Sequence, residues 1–111
     1  MSTRARIGVQ LESGEIESVY VWRDGMPDYL GAILCSHYNT LAKATELVER
    51  GNIIDIETTV EKCNFEQGSA ATDTAPKTHM TFAAYRRERE ADIDYKYIFR
   101  NGAWEYREIG A

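Results

Sequence analysis

The chain has 111 residues, of which 43% are hydrophobic and 28% are charged, and this composition is typical of one water-soluble globular domain. Its formal net charge of -5 disfavours nonspecific binding to nucleic-acid backbones and anionic lipids. No apolar run approaches the ~20 residues of a membrane span, and no secretory signal follows the N-terminal arginines. We therefore expect a single cytoplasmic domain over residues 1–111, with Cys35 and Cys63 as free thiols.

The N-terminal part alternates apolar and polar residues, which is typical of strands with one buried face. Strands are predicted over residues 4–12 and 16–23, joined by a turn at Gly14 into an antiparallel hairpin. In the second strand, Val19 and Val21 lie on one face, and Tyr20 and Trp22 lie on the other.

Two helices are predicted after the break at Pro27. The first follows Asp28 and presents apolar residues at spacings of three and four as far as Tyr38. The second begins after the N-cap Thr40 and ends before Gly51, which suits the left-handed position beyond a helix.

The remaining chain is less regular until its C-terminal hairpin. Residues 52–60 fit either a short strand or a buried connection, and residues 62–77 predict an exposed, mobile loop. Residues 78–85 predict a strand, followed by a solvated turn or a short helical extension. Residues 94–100 and 103–109 predict two strands around Asn101-Gly102, a strong hairpin turn signal. The order of elements predicts an α+β fold, in which an antiparallel sheet of four to five strands carries two helices on one face.

Several short motifs mark the N-terminal third, namely Arg6-Ile7-Gly8, Glu12-Ser13-Gly14, Trp22-Arg23-Asp24-Gly25-Met26-Pro27 and His37-Tyr38. Together with the stretch from Tyr97 to Trp104, they resemble a family of small uncharacterised bacteriophage accessory proteins that is frequent in tailed phages of marine bacteria. Arg23 departs from the family pattern, which has His-Trp-Asp at this corner, so no role of that histidine is carried over. The resemblance implies a product that acts in the host cytoplasm, in host takeover or counter-defence, and it assigns no chemistry.

The sequence carries no recognisable catalytic or metal-binding motif. Cys35 and His37 lie two positions apart on a predicted helix and so point to nearly opposite sides, which excludes a local nucleophile and base pair. We expect Cys35 to be a small buried hydrophobe. Together with Cys63 and His79, these residues lack the spacing of a structural zinc site. The aspartates near element ends, Asp24, Asp28, Asp92 and Asp94, are explained as turn formers and caps. No cofactor, metal or catalytic residue is predicted.

Aromatic residues are concentrated on the strands of the two terminal hairpins. Such a surface could be a second core layer, a dimer interface or a stacking platform for a planar ligand, and nearby arginines, including Arg107, could contact an anion. The candidate binding residues are Tyr20, Trp22, Arg23, Tyr97, Arg100, Trp104 and Tyr106.

Three functional hypotheses follow. The first is a non-enzymatic phage accessory protein that binds and modulates a host macromolecule as a homodimer, through the aromatic sheet face. The second is a sponge that withdraws a small nucleotide immune signal by stacking and by arginine contacts to phosphate. The third is a small nucleotide-processing enzyme. A membrane or nucleic-acid partner is not expected.

Overall fold

The structure is a computed structural model that describes residues 3–66 and 75–109, so residues 67–74 of the predicted loop lie outside the described residues. The strands are β1 (Ala5–Gln10), β2 (Ile16–Val21), β3 (Ile53–Asp55), β4 (Asn64–Phe65), β5 (Lys77–His79), β6 (Tyr95–Arg100) and β7 (Ala103–Glu108). The helices are α1 (Ala32–His37), α2 (Leu41–Glu49) and α3 (Phe82–Arg87), with a π-helical turn at Pro27–Gly31 and a 3-10 turn at Val60–Lys62. None of the described helices has the length and apolar character needed to cross a membrane.

The strands form one mixed sheet in the order β4-β3-β2-β1-β6-β7, and β5 pairs with the part of the β2 edge that β3 leaves free. The predicted α+β class is confirmed. The expected antiparallel sheet of four to five strands matches only roughly, because the described residues form seven strands and two pairings, β1 with β6 and β2 with β3, are parallel. The β2 to β3 pairing is parallel because the chain crosses between them through two helices and so re-enters the sheet from the same end.

Both predicted hairpins are present. β1 and β2 pair antiparallel around Gly14, whose φ of +95° favours glycine. β6 and β7 pair around Asn101 and Gly102, which have φ values of +55° and +80°. Positive φ at both central residues is the requirement of the type I′ turn that the sequence Asn-Gly favours.

The main core lies between one face of the sheet and the two predicted helices. Thr40 caps α2 by accepting a hydrogen bond from the backbone N–H of Lys43 at 3.2 Å, and Gly51 follows the helix with a φ of +96°. The helices contribute buried residues such as Leu34 and Leu47. The sheet side of this core consists of Ala5, Ile7, Val9, Val19, Val21, Ile53, Tyr97 and Phe99.

The segment between α2 and β4, which the sequence left open, contains both predicted alternatives in turn. The short strand β3 is followed by a connection that buries Ile56 and Val60 in the main core.

A second, smaller core lies on the opposite face of the sheet and corrects the prediction for residues 78–85. The strand ends at His79, and Thr81 then caps α3 by accepting the backbone N–H of Ala84 at 3.0 Å. A side-chain cap followed by alanines, which are strong helix formers, outweighs the strand tendency of the segment. α3 places Tyr85 against the sheet, where it is buried with Ile16 and Ile98.

Candidate functional site

A cleft of about 210 Å³ lies between α3 and the strands β6 and β7, beside the second core. Its lining residues are Phe82, Tyr85, Arg86, Lys96, Ile98, Arg100, Glu105, Tyr106 and Arg107. The lining therefore combines four cationic side chains with the two aromatic rings of α3 and one carboxylate, while Tyr106 borders the cleft with its ring on the opposite face of the sheet. In a chain of net charge -5, this is a local reversal of sign.

The period of the two strands explains why the cations meet here. Lys96, Ile98 and Arg100 are alternate residues of β6 and share the face opposite the main core. Arg107 lies directly across from Lys96 in the β6–β7 register, and α3 adds Arg86 from above. Like charges directly opposite each other in a sheet are destabilising. An anion bound in the cleft would relieve this repulsion.

Arg100 and Phe82 form the closest contact between a cation and a ring in the lining. The guanidinium carbon of Arg100 lies 3.9 Å from the centre of the Phe82 ring, and that of Arg86 lies 5.7 Å from the same ring. Nε of Arg100 is buried and lies 3.5 Å from Glu105 Oε2, and in the described part of the chain it has no hydrogen-bond partner. The ring thus fixes a planar cation whose hydrogen-bonding capacity is not fully used.

Lys96 joins the cleft to α3. Its Nζ donates to the backbone carbonyls of Tyr85 at 2.7 Å and of Glu88 at 2.6 Å, which are near the C-terminal end of the helix. Burial lowers the pKa of the ammonium group. Lys96 therefore has two roles, since it attaches the end of α3 to the sheet and also contributes positive charge to the cleft.

A buried polar network lies behind the cleft. Arg6 donates to Glu90 through Nε and Nη2, at 2.7 and 3.0 Å, and through Nη1 to Ser18 Oγ at 3.0 Å. Ser18 Oγ lies 2.8 Å from His79 Nε2, and His79 Nδ1 lies 2.9 Å from Glu88 Oε1. The tautomer that satisfies all these contacts carries its proton on Nδ1, so the hydroxyl donates to Nε2 and the ring donates to the carboxylate.

The order Ser18, His79 and Glu88 is that of a nucleophilic triad, but its position does not suit catalysis. Ser18 lies in the middle of the sheet with no exposed surface, so no substrate reaches its Oγ. Arg6 also donates to this oxygen, which reduces its nucleophilicity. Burial lowers the pKa of His79, and the hydrogen bond from Lys77 lowers that of Glu88. We interpret the network as the attachment of β5 and α3 to the sheet.

The sequence-predicted aromatic surface is divided between the two faces of the sheet, so the expectation of one common aromatic face is wrong. Tyr20 lies on the side of the second core, whereas Tyr97 is buried in the main core and donates to Gly25 O at 2.7 Å. The parallel pairing of β1 with β6 places Tyr97 beside Ile7, a main-core residue, and the sequence gives no sign of this register.

Tyr20, Trp22 and Arg23 form their own surface near β3. Trp22 packs edge-on against Tyr20 with ring centres 5.1 Å apart and donates from Nε1 to Glu66 at 3.1 Å. Tyr20 donates to Asp92 at 2.8 Å, and burial together with this hydrogen bond raises its pKa to about 12. A shallow hollow of about 380 Å³ lies here, but both of its cations have a carboxylate partner, since Arg23 contacts Asp55 and Arg4 contacts Asp92, whereas the cleft has one carboxylate for four cations.

On the other face, Trp104 and Tyr106 lie at the end of the main core. Trp104 donates from Nε1 to Tyr38 O at 2.8 Å and packs against Phe99. Tyr106 is 56% exposed, and its ring centre lies 5.6 Å from that of Tyr97, on the main-core side of the sheet.

Of the seven candidate binding residues, only Arg100 thus places its side chain in the cleft, and Tyr106 borders the cleft with its ring on the opposite face. Sequence reasoning missed Phe82, Arg86 and Lys96 as site residues. The alternation of Lys96, Ile98 and Arg100 against aromatic neighbours was the available signal, but it shows a basic strand face without showing that α3 covers part of it.

Cys35 is exposed, which corrects the expectation of a buried thiol. The residues of α1 that face the core are Leu34 and, just beyond the helix, Tyr38, and Cys35 is one helical step away from that line. Within residues 3–66 and 75–109, no three His, Cys, Asp or Glu side chains are grouped closely enough to hold a metal ion.

Comparison with protein-family models, with curated proteins and with solved structures finds no match to this chain.

Proposed function

We propose that this protein is a non-enzymatic binding protein whose ligand is a small anion with a planar group, of the nucleotide class, held in the cleft between α3, β6 and β7. The observation that carries the proposal is the excess of cations lining the cleft, four against the single carboxylate of Glu105, with Arg86 and Arg100 over the Phe82 ring. Guanidinium groups recognise phosphate through paired N–H donors, and aromatic rings accept planar groups by stacking on their faces.

The volume of the cleft limits the ligand. At about 210 Å³ it is smaller than the ~300–1,000 Å³ of pockets that enclose drug-sized molecules. It suits one phosphate group and part of a ring, with the rest of the ligand lying over Arg107 at the rim. Among the described cleft residues there is no nucleophile beside a base, so we assign binding rather than turnover.

The resemblance to phage accessory proteins supplies the proposed setting, which is counter-defence or host takeover in the cytoplasm of an infected cell. In that setting, the cleft favours withdrawal of a small nucleotide signal over modulation of a host macromolecule. The homodimer of the latter hypothesis was placed on a common aromatic face, and the aromatic residues lie on two faces.

The test is titration calorimetry with AMP, cyclic AMP, adenosine and inorganic phosphate as probes. We expect the two nucleotides to bind more tightly than either fragment and their affinity to fall as salt is raised. Replacing Arg100 by Gln removes a charge-assisted contact worth about 1.5–3 kcal/mol and should weaken binding by roughly 10- to 100-fold.

Arg50→Gln is the matched control, because Arg50 is an exposed arginine that also lies over a phenylalanine ring, 5.3 Å from the centre of Phe65. It is outside the cleft and should leave the affinity unchanged. Equal affinities for the Arg100 and Arg50 variants would refute the cleft as the site. Recovery of the nucleotide after heat denaturation separates the mechanisms, because a sponge returns it intact and an enzyme returns it altered.

A further inference from the structure

β7 is the last strand of the sheet, and its outer edge has no partner strand among the described residues. Five of its six residues are exposed, and the remaining one, Trp104, is half-buried. The strand contains no proline, and its pairing with β6 is regular along its whole length. These are the features of an edge that can accept another strand.

The register of the hairpin fixes which backbone groups face outward. The two-residue turn closes on Arg100 and Ala103, which form a hydrogen-bonded pair, and the N–H of Ile109 donates to Asp94 O at 2.8 Å. In an antiparallel pair, hydrogen-bonded and non-hydrogen-bonded residues alternate along each strand. The odd-numbered residues of β7 therefore direct their backbone N–H and C=O groups towards β6. The N–H and C=O groups of Trp104, Tyr106 and Glu108 therefore face the open edge.

We propose that this edge pairs with β7 of a second copy of the chain, antiparallel and with the two-fold axis at Tyr106. Charge complementarity selects the partner and the register. Glu105 of each copy then lies opposite Arg107 of the other, which gives two pairs of opposite charge on one face. Tyr106 lies opposite Tyr106 on the other face, next to Trp104 opposite Glu108. The outward groups of these three residues form six backbone hydrogen bonds across the axis.

Other symmetric registers are less favourable. An axis at Glu105 places two glutamates opposite each other, and an axis at Arg107 does the same with two arginines. An axis at Trp104 brings the turn residue Gly102 into the ladder and forms no pair of opposite charge. Only the axis at Tyr106 pairs residues 104–108 in full without a like-charge contact.

This inference is independent of the ligand proposed for the cleft, although Glu105 and Arg107 also border it. The pairing would join two sheets into one continuous sheet and place the two clefts on either side of the axis. The proposed dimer differs from the homodimer predicted from the sequence, because its interface is a strand edge and not a face of the sheet.

The test is the molar mass in solution, measured by light scattering at 1 to 100 µM, for the full chain and for charge variants. We expect a concentration-dependent dimer for the unmodified chain. Glu105→Arg alone and Arg107→Glu alone each create two like-charge pairs and should be monomeric. An equimolar mixture of these two variants restores opposite charges at both positions and should form a heterodimer, as should the double variant E105R/R107E with itself.

Two results would overturn the proposal. A monomer at every concentration excludes a second copy as the occupant, and a dimer whose mass is unaffected by either single substitution excludes this register. Hydrogen exchange provides a second measurement that is independent of mutation. The amides of Trp104, Tyr106 and Glu108 should be protected in the dimer and exchange rapidly on dilution, while those of Glu105 and Arg107 stay protected in both states.

Discussion

Ser18 and His79 show how a single buried oxygen connects three parts of the chain. Oγ of Ser18 accepts from Arg6 on β1 and donates to the ring of His79 on β5, and the ring in turn donates to Glu88 after α3. Because each polar atom in this chain of contacts has a partner, the network can remain buried at low cost. Its stability depends on a neutral imidazole.

We predict that the stability of the protein decreases in mild acid because of His79. The charged or titratable groups facing the ring are Arg6, Lys77, Tyr85, Glu88 and Lys96. Burial lowers the pKa of His79 in the folded state. As the pH falls below about 6.5, the unfolded chain therefore binds the proton at this histidine before the folded chain does. The free energy of unfolding should therefore decrease from pH 7 to pH 5, as measured by urea denaturation.

His79→Gln removes this titration and should flatten the change between pH 7 and 5, whatever its effect on stability at pH 7. His37→Gln is the control, because His37 is exposed at the end of α1 and should leave the slope as in the unmodified chain. Keeping the pH above 5 separates the effect from Glu88, whose lowered pKa confers stability that is lost only at lower pH. An unchanged slope in the His79 variant would contradict the assignment.

Among the helices and strands, α3 packs close to the sheet because Gly8 has no side chain and leaves room for the Tyr85 ring. A Cβ atom there would lie 2.9 Å from Cζ of Tyr85 and 3.0 Å from Cγ2 of Ile16. Tyr85 is fully buried and donates from its hydroxyl to Tyr97 O at 2.6 Å, so its ring has little room to move.

We predict that Gly8→Ala destabilises the protein by about 1–3 kcal/mol, the usual cost of overpacking, and displaces α3 from the cleft. Gly31→Ala is the matched control, because its Cβ would be 3.6 Å from the nearest atom, in Tyr97, and Gly31 has helical dihedrals. Replacing glycine by alanine in a helix favours folding by up to ~1 kcal/mol. Urea denaturation of both variants measures the difference, and equal stabilities would show that the contact between Gly8 and Tyr85 is not limiting.

The elements that the sequence predicted are those specified by local chemistry. Alternation and Asn101-Gly102 define the hairpins, and Thr40 with Gly51 defines α2. The β1–β6 pairing and the close approach of Tyr85 to Gly8 depend on residues about 80 to 90 positions apart, for which one sequence gives no local signal. For the same reason only part of the cleft was predicted. Arg100 could be identified from the alternation of its own strand, whereas Phe82 and Arg86 lie beside it only because α3 packs on the sheet.

At the scale of the whole molecule, both cores require the C-terminal hairpin. β6 contributes Tyr97 and Phe99 to the main core, and Ile98 and Lys96 to the opposite face. The burial of these side chains is worth on the order of several kcal/mol, comparable with the total stability of a small domain.

We therefore predict that a fragment of residues 1–92 does not fold cooperatively, as measured by circular dichroism during thermal unfolding. Adding a peptide of residues 93–111 should restore strand signal and a cooperative transition, because it returns β6 and β7 to the open side of β1. A sigmoidal transition of the fragment alone would show that the N-terminal hairpin and its helices form an independent unit.

The central position of β1 has a consequence for synthesis in the cell. β1 is translated about 85 residues before its second neighbour, β6. At ~5–20 residues per second, the nascent chain carries an uncovered apolar strand for roughly 4 to 17 s. During that interval the strand is open to chaperones and to neighbouring nascent chains, so slowing the ribosome between the two strands should lower the yield of native protein without any change in its sequence.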